Sequence, residues 1–203
     1  MKTLFFKQTA IVLVLAVMAA GCKKSEVVDV SFLPQEGETD FFYNVDGNRD
    51  VLSIRKDKVI VKTKSEGEAK ALSSQTVFLS AYNVGFWVFG TIDPSKTNLD
   101  KLMELSVVVD ATYGLVSEDG VLHYPSDKIF LKCKEGESPE NILIINNLDK
   151  DVEAIKLFDQ FSEIFEISLN VRLSDILMSC RLLHESKKCE FAEPSFFREM
   201  KLK

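Results

Sequence analysis

Two histidines, His123 and His184, and four cysteines, Cys22, Cys133, Cys180 and Cys189, are the side chains whose types could supply nucleophilic, acid–base or metal chemistry. Each needs company that the sequence withholds. A catalytic histidine needs a nucleophile and an orienting carboxylate, and no Gly-x-Ser-x-Gly elbow accompanies either one. A phosphate-binding glycine loop, a His-x-x-x-His pair and a Cys-x-x-Cys pair are missing too. His184 borders an apolar helical stripe and reads as a partly buried helix-end residue capping carbonyls. One oxygen-rich run, Asp46-Gly47-Asn48-Arg49-Asp50, has the alternating spacing of a calcium loop. Its sixth position is Val51 rather than glycine and its flanks are strand-like, so a hairpin turn is preferred. The chain is expected to be no enzyme and to use no cofactor or resident metal.

The elements that would position these residues begin after a targeting segment. Lys2 and Lys7, the apolar run from Ile11 to Ala20, and the small residues Ala19-Ala20-Gly21 ahead of Cys22 resemble a bacterial lipoprotein signal. The resemblance implies cleavage after Gly21 and lipid on Cys22. The chain would then sit in the bacterial cell envelope, at the outer membrane, held to the bilayer through that anchor. Residues 22–39 read as a tether. Residues 1–21 contain Lys2 and Lys7, so their removal takes the formal charge from 25 − 31 = −6 to 23 − 31 = −8. An acidic chain with no basic run interleaved with aromatics is not expected to bind nucleic acid.

From Phe41 onward strand signals are dense. Phe41 to Val45, Val51 to Arg55 and Val59 to Lys64 alternate with the turn-like Asp46-Gly47-Asn48 and Lys56-Asp57-Lys58, which predicts two hairpins. A short helix over 66–72, strands over 77–82 and 86–92, a helix over 95–105 capped by Asp93 or Ser95, and a strand from Val107 follow. After the turn at Asp119-Gly120 the pattern repeats. There is a strand over 128–134, a helix opened by Ser138-Pro139-Glu140, strands over 152–158 and 164–169, a helix carrying Leu173, Ile176, Leu177, Cys180 and Leu183 on one face, and a short strand at Cys189 and Phe191 that Pro194 limits. Both halves read β-α-β-β-α-β. The expected fold is α+β, two ferredoxin-like units with helices on one face of each antiparallel sheet, spanning 40–125 and 126–203.

With Cys22 lipidated, three cysteines remain, an odd number for an oxidising compartment. Strand alternation puts Cys133 on the face of Ile129 and Leu131, and Cys180 lies on the helix stripe that covers that face. Buried reduced thiols are preferred over a Cys133–Cys189 disulfide, and a thiol metal site ranks third. Trp87, in Phe86-Trp87-Val88-Phe89, is read as packing between the two units.

The run from Leu183 through Glu185-Ser186 to Glu190-Phe191-Ala192-Glu193-Pro194-Ser195-Phe196 resembles the end of the N-terminal propeptide of secreted bacterial subtilisin-like proteases. In that family a helix ends in a Tyr-Glu-Ser-Gly-like break followed by a Glu-Phe-Ala-Glu-Pro-like strand; this chain has His184 for the Tyr and Lys187 for the Gly. Phe41-Phe42-Tyr43, Val51-Leu52 and Val59-Ile60-Val61-Lys62 are similar to the aromatic-rich opening of the same propeptides. The resemblance implies a stand-alone inhibitor or folding chaperone of a subtilisin-like serine protease. Its C-terminal tail, Ser195, Phe196, Phe197, Arg198, Glu199, Met200, Lys201, Leu202 and Lys203, would lie in the protease cleft as an added strand. The alternative expectation is a non-catalytic envelope or surface module that binds a protein or a glycan. An inhibitor needs the tail free; an interaction module can pack it down.

Overall fold

The computed structural model describes residues 39–198. Cys22, the tether up to Glu38 and Glu199 to Lys203 lie outside the described residues. Strands β1 (Thr39–Tyr43), β2 (Arg49–Thr63), β3 (Ser80–Val84), β4 (Trp87–Thr91), β5 (Val108–Val116), β6 (Leu122–Cys133), β7 (Val152–Asp159), β8 (Ile164–Leu169) and β9 (Cys189–Arg198) are joined by helices α1 (Glu66–Ser73), α2 (Leu99–Met103), α3 (Pro139–Ile145) and α4 (Ile176–Glu185). The strands form one nine-stranded antiparallel sheet in the order β3-β4-β2-β5-β6-β8-β7, with β1 on β2 and β9 on β6. The expected pair of ferredoxin-like α+β units is therefore corrected. Among the described residues strand takes 47% and short helices 22%, in a single large sheet. What fuses it is the β5–β6 hairpin, in which Leu115 pairs with His123 and Val116 with Leu122. No helix among the described residues is long and apolar enough to cross a membrane.

Local chemistry explains which elements form and which predicted boundaries move. Ser65 caps α1 by accepting from Glu68 N, and Glu68 reaches back to the Ser65 hydroxyl at 3.2 Å. Ser138 and Pro139 open α3 as read. The helix expected over 95–105 shrinks to α2. Asp93 spends its carboxylate on a turn, taking Ser95 N at 3.0 Å and Ser95 Oγ at 2.6 Å, and Asn98 becomes the cap, accepting from Lys101 N at 3.0 Å. Lys56-Asp57-Lys58 makes no hairpin. Arg55 and Asp57, two apart and so on one face of an extended strand, clasp through two 2.9 Å hydrogen bonds, and β2 runs on past a bulge between Arg55 and Val59.

The last strand departs most from expectation. Pro194 does not stop β9, which continues to Arg198. Between the pairs Pro125–Phe196 and Ile129–Pro194 the ladder slips, so both prolines border a bulge where a missing N–H costs no regular ladder bond. The bulged residue Asp127 reaches Lys62 on β2 at 2.6 Å. Lys187, standing where the propeptide break has Gly, takes the left-handed conformation itself, with φ of 61°.

Three buried clusters hold the sheet. One, under α1 and α2, contains Val59, Val61, Leu72, Val88 and Leu102, and it also takes Leu177 from α4. A second, under α3 and α4, contains Ile129, Leu131, Ile142, Ile167, Ile176, Cys180 and Leu183. A third joins Ile60, Trp87 and Phe89 to Tyr124 and Leu173, with Phe197 against it. Helix α4 and the turn leading into it, Leu173–Asp175, are pinned to the first half. Asp110 on β5 accepts from Leu173 N at 2.6 Å, Arg181 bonds Asp40 and donates to Phe41 O at 2.8 Å, and His184 stacks on Tyr43 at 4.3 Å. His184 is thus a stacking residue rather than a carbonyl cap: Lys187 N takes the His184 carbonyl, and His184 Nδ1 is buried with no hydrogen-bond partner.

Candidate functional site

Chemistry-bearing side chains meet where β9 ends. His123 on β6, Ser117 and Asp119 in the β5–β6 turn, Arg49 and Asp50 on β2, and Arg198 on β9 line a groove of about 420 Å³ floored by Phe42 and Phe196. The turn is closed by Ser117 N donating to Val121 O at 3.1 Å, with Gly120 in the left-handed region at φ 78°. Ser117 Oγ lies 2.5 Å from Asp119 Oδ1, 3.1 Å from Val121 O and 3.0 Å from His123 Nε2. A hydroxyl has one proton, and the carboxylate and the carbonyl can only accept. The shortest contact takes it, so Nε2–H must donate to Ser117 Oγ. That leaves Nδ1 as a bare lone pair, buried without a partner.

This order is the reverse of a hydrolase relay. There the histidine accepts the serine proton and a buried carboxylate orients the ring; here the histidine gives a proton to the serine, and the carboxylate is on the surface. The trio clamps a hairpin. In the sequence its one signal is Ser-x-Asp-Gly placed ahead of a histidine on the returning strand, a pattern too short to stand out before the hairpin is seen.

Burial holds the His123 pKa below the ordinary histidine value. The Arg198 charge adds to that, against Asp119 and Asp50, which pull it up. The unfolded chain takes up a proton near the ordinary value and the folded chain only below it, so His123 weakens folding as pH falls through that window. Asp110, Asp175 and Glu193, raised mainly by burial, act in the opposite sense. The comparison that isolates the histidine is with His123→Phe. Its melting temperature should trail the wild type at pH 7.5 and the gap should narrow by pH 5; a gap constant with pH would assign His123 no such role.

The proposed cleft-binding residues divide at Arg198. Ser195, Phe196, Phe197 and Arg198 belong to β9, where Phe196 pairs with Pro125, Phe197 with Tyr124 and Arg198 with His123. The Phe196 ring lies 5.6 Å from Phe42 and 5.1 Å from His123, and Phe197 lies 5.4 Å from Trp87 and 5.3 Å from Phe89. Both rings sit in the seam between the halves. Glu199, Met200, Lys201, Leu202 and Lys203 lie outside the described residues, as does the lipidation candidate Cys22.

A second surface gathers at the opposite end of the sheet. Among the described residues, strand β7 ends the strand order and pairs with β8 alone. Beyond it, Asp159 accepts from Phe161 N at 3.0 Å, and this turn projects Phe161 outward at 90% exposure. Leu157 and Phe158 are exposed as well, at 54% and 62%, and Phe158 lies 4.8 Å from Phe130 on the other face. Leu157, Phe161, Phe165 and Pro139 line a groove of about 640 Å³, whose rim has Glu135, Glu137, Glu163 and Glu190 against Lys132 and Lys134. Among the described residues no group of three or more His, Cys, Asp or Glu side chains is placed to hold a metal ion.

No protein-family model, curated protein or solved structure matches this chain.

Proposed function

We propose that this chain is a non-catalytic interaction module of the bacterial cell envelope, lipid-anchored through Cys22, which takes an extended segment of a partner protein along β7. The observation that carries the reading is the exposed apolar group at the end of a sheet edge that is unpaired among the described residues. Leu157 and Phe161 are far more exposed than the side chains of the three cores and line the 640 Å³ groove, and the exposed Phe158 adds an apolar side chain on the other face of the same edge. A strand edge offers main-chain donors and acceptors, and an adjoining groove takes alternate side chains of the added strand. Lys188 holds Glu137 and Lys132 holds Glu190, which leaves Glu135 and Glu163 against Lys134 at the rim to favour a segment that carries a basic residue beside its apolar ones.

The resemblance to subtilisin propeptides supplies the competing reading, an inhibitor whose tail fills a protease cleft. It is less well supported. Ser195 to Arg198 are committed to β6, and releasing them would open the aromatic seam.

The test uses synthetic peptides with alternating apolar residues flanked by lysine, followed by fluorescence anisotropy. Binding should weaken at least about tenfold with Phe161→Asp, the size of a lost interface anchor, and with peptides N-methylated on the pairing edge. Hydrolysis by subtilisin-like proteases should be unaffected by the chain. Failure of every peptide to bind, or binding indifferent to Phe161→Asp, would remove the reading, and inhibition in the nanomolar range would restore the inhibitor.

A further inference from the structure

We infer that Cys133 and Cys189 are a cross-strand disulfide pair, closed when the chain meets a disulfide oxidant, with Cys180 left as a buried thiol. The two residues are register partners on β6 and β9. Lys134 N donates to Lys188 O at 3.1 Å, one residue outside the pair on each strand. That bond flanks a non-hydrogen-bonded antiparallel pair, the kind whose Cα atoms approach to about 4.5 Å and whose side chains lie closest. A disulfide spans Cα separations of about 4.4–6.8 Å. Because Lys132 pairs with Phe191, Glu190 has no register partner, and the resulting bulge lets the strand adjust as the sulfurs close.

Access and sealing separate the three thiols. Cys133 is half-buried and lines the 640 Å³ groove, so an oxidant reaches it from solvent. Cys189 is 3% exposed, and its Sγ–H donates to Leu183 O at 3.2 Å. Cys180 is sealed in the core on α4 and belongs to no strand pair. The odd count left by a lipidated Cys22 is thereby resolved as one pair and one core thiol.

In the reaction the Cys133 thiolate attacks a sulfur of the oxidising disulfide and expels one thiolate. The Cys189 thiolate then attacks Cys133 Sγ in the mixed disulfide and expels the second. Two electrons pass to the oxidant, its two thiolates take up the two protons, and the chain is lighter by two hydrogens. Burial pushes both thiols up to about 11, so closure is slow at neutral pH and speeds up as pH rises. The envelope location proposed above is where such an oxidant would be met.

The experiment takes the full chain with Cys22→Ser, incubates it with oxidised glutathione at pH 8, denatures it, alkylates it and maps it by mass spectrometry. Cys180 should be the only alkylated cysteine, and the peptides bearing Cys133 and Cys189 should be joined. The bond closes a loop of 189 − 133 = 56 residues, and its reduction should lower the melting temperature by about 10 °C. Three alkylatable cysteines, a bond that includes Cys180, or a covalent dimer would overturn the assignment. So would a reductant-dependent shift that persists in Cys133→Ser, a conservative change at a half-exposed site. None of these outcomes depends on the Phe161 binding experiment, so the two proposals fail separately.

Discussion

A chain ended after Pro194 should melt at least about 10 °C below the full chain, and at physiological temperature it should be largely unfolded or aggregated. The deletion removes two aromatic side chains that pack from one strand into two different clusters. Phe196 lies against Phe42 beside the first core, and Phe197 closes the Trp87–Phe89–Tyr124 seam. Fully burying a phenylalanine contributes about 1.5–3 kcal/mol; Phe196 and Phe197 are each half-buried, so the pair contributes roughly 2–3 kcal/mol, and loss of pairing with His123, Tyr124 and Pro125 exposes main-chain groups at about 1 kcal/mol each. Four kcal/mol or more, roughly, is thus removed from a total of about 5–15 kcal/mol. Thermal unfolding followed by circular dichroism decides the matter. A stop after Arg198 leaves every one of these contacts in place and serves as the control. If the Pro194 truncation melted within about 2 °C of the full chain, residues 195–198 would be an appendage and the inhibitor reading would regain its tail.

That strand also marks where the sequence stopped being legible. Its first residues were readable because Cys189, Glu190 and Phe191 alternate in burial as a strand requires. Its continuation was not, because a proline in a strand ordinarily argues for an end, and only the partner strand shows a bulge waiting opposite Ser195. One helix start was legible for a local reason, since Ser138 and Pro139 act within the first turn, whereas the cap expected at Asp93 or Ser95 falls to Asn98 because Asp93 is taken up by its own turn. Lys56-Asp57-Lys58 misled because charge clusters suit turns, whereas the Arg55–Asp57 clasp needs the chain extended. Of the chemistry, the cysteines could be placed on faces from alternation alone. The Ser117–Asp119–His123 clamp and the groove at β7 required the hairpin and the sheet edge, which are properties of pairing rather than of local pattern.

Helical spacing alone puts the stripe from Leu173 to Leu183 against one core, whereas α4 serves two. Ile176 is fully buried among Ile129, Leu131 and Ile167, while its neighbour Leu177 is buried among Val59, Leu72 and Leu102 on the other side. Adjacent helical positions lie about 100° apart, so a helix lodged between two packed surfaces sends successive residues to different ones. Ile176→Ala and Leu177→Ala should therefore each cost about 2–5 kcal/mol, by leaving cavities that close-packed neighbours cannot fill. The form of the unfolding transition carries more information than the size of the loss. With α4 pinned by Asp110, Asp40 and Tyr43 and the sheet continuous through β5 and β6, the two halves should melt together, and either variant should shift one common transition. Calorimetry checks this through agreement of the calorimetric and van't Hoff enthalpies. Two transitions, with Leu177→Ala moving only one and Ile176→Ala only the other, would mean that the halves unfold as separate domains and that the shared sheet and helix couple them weakly.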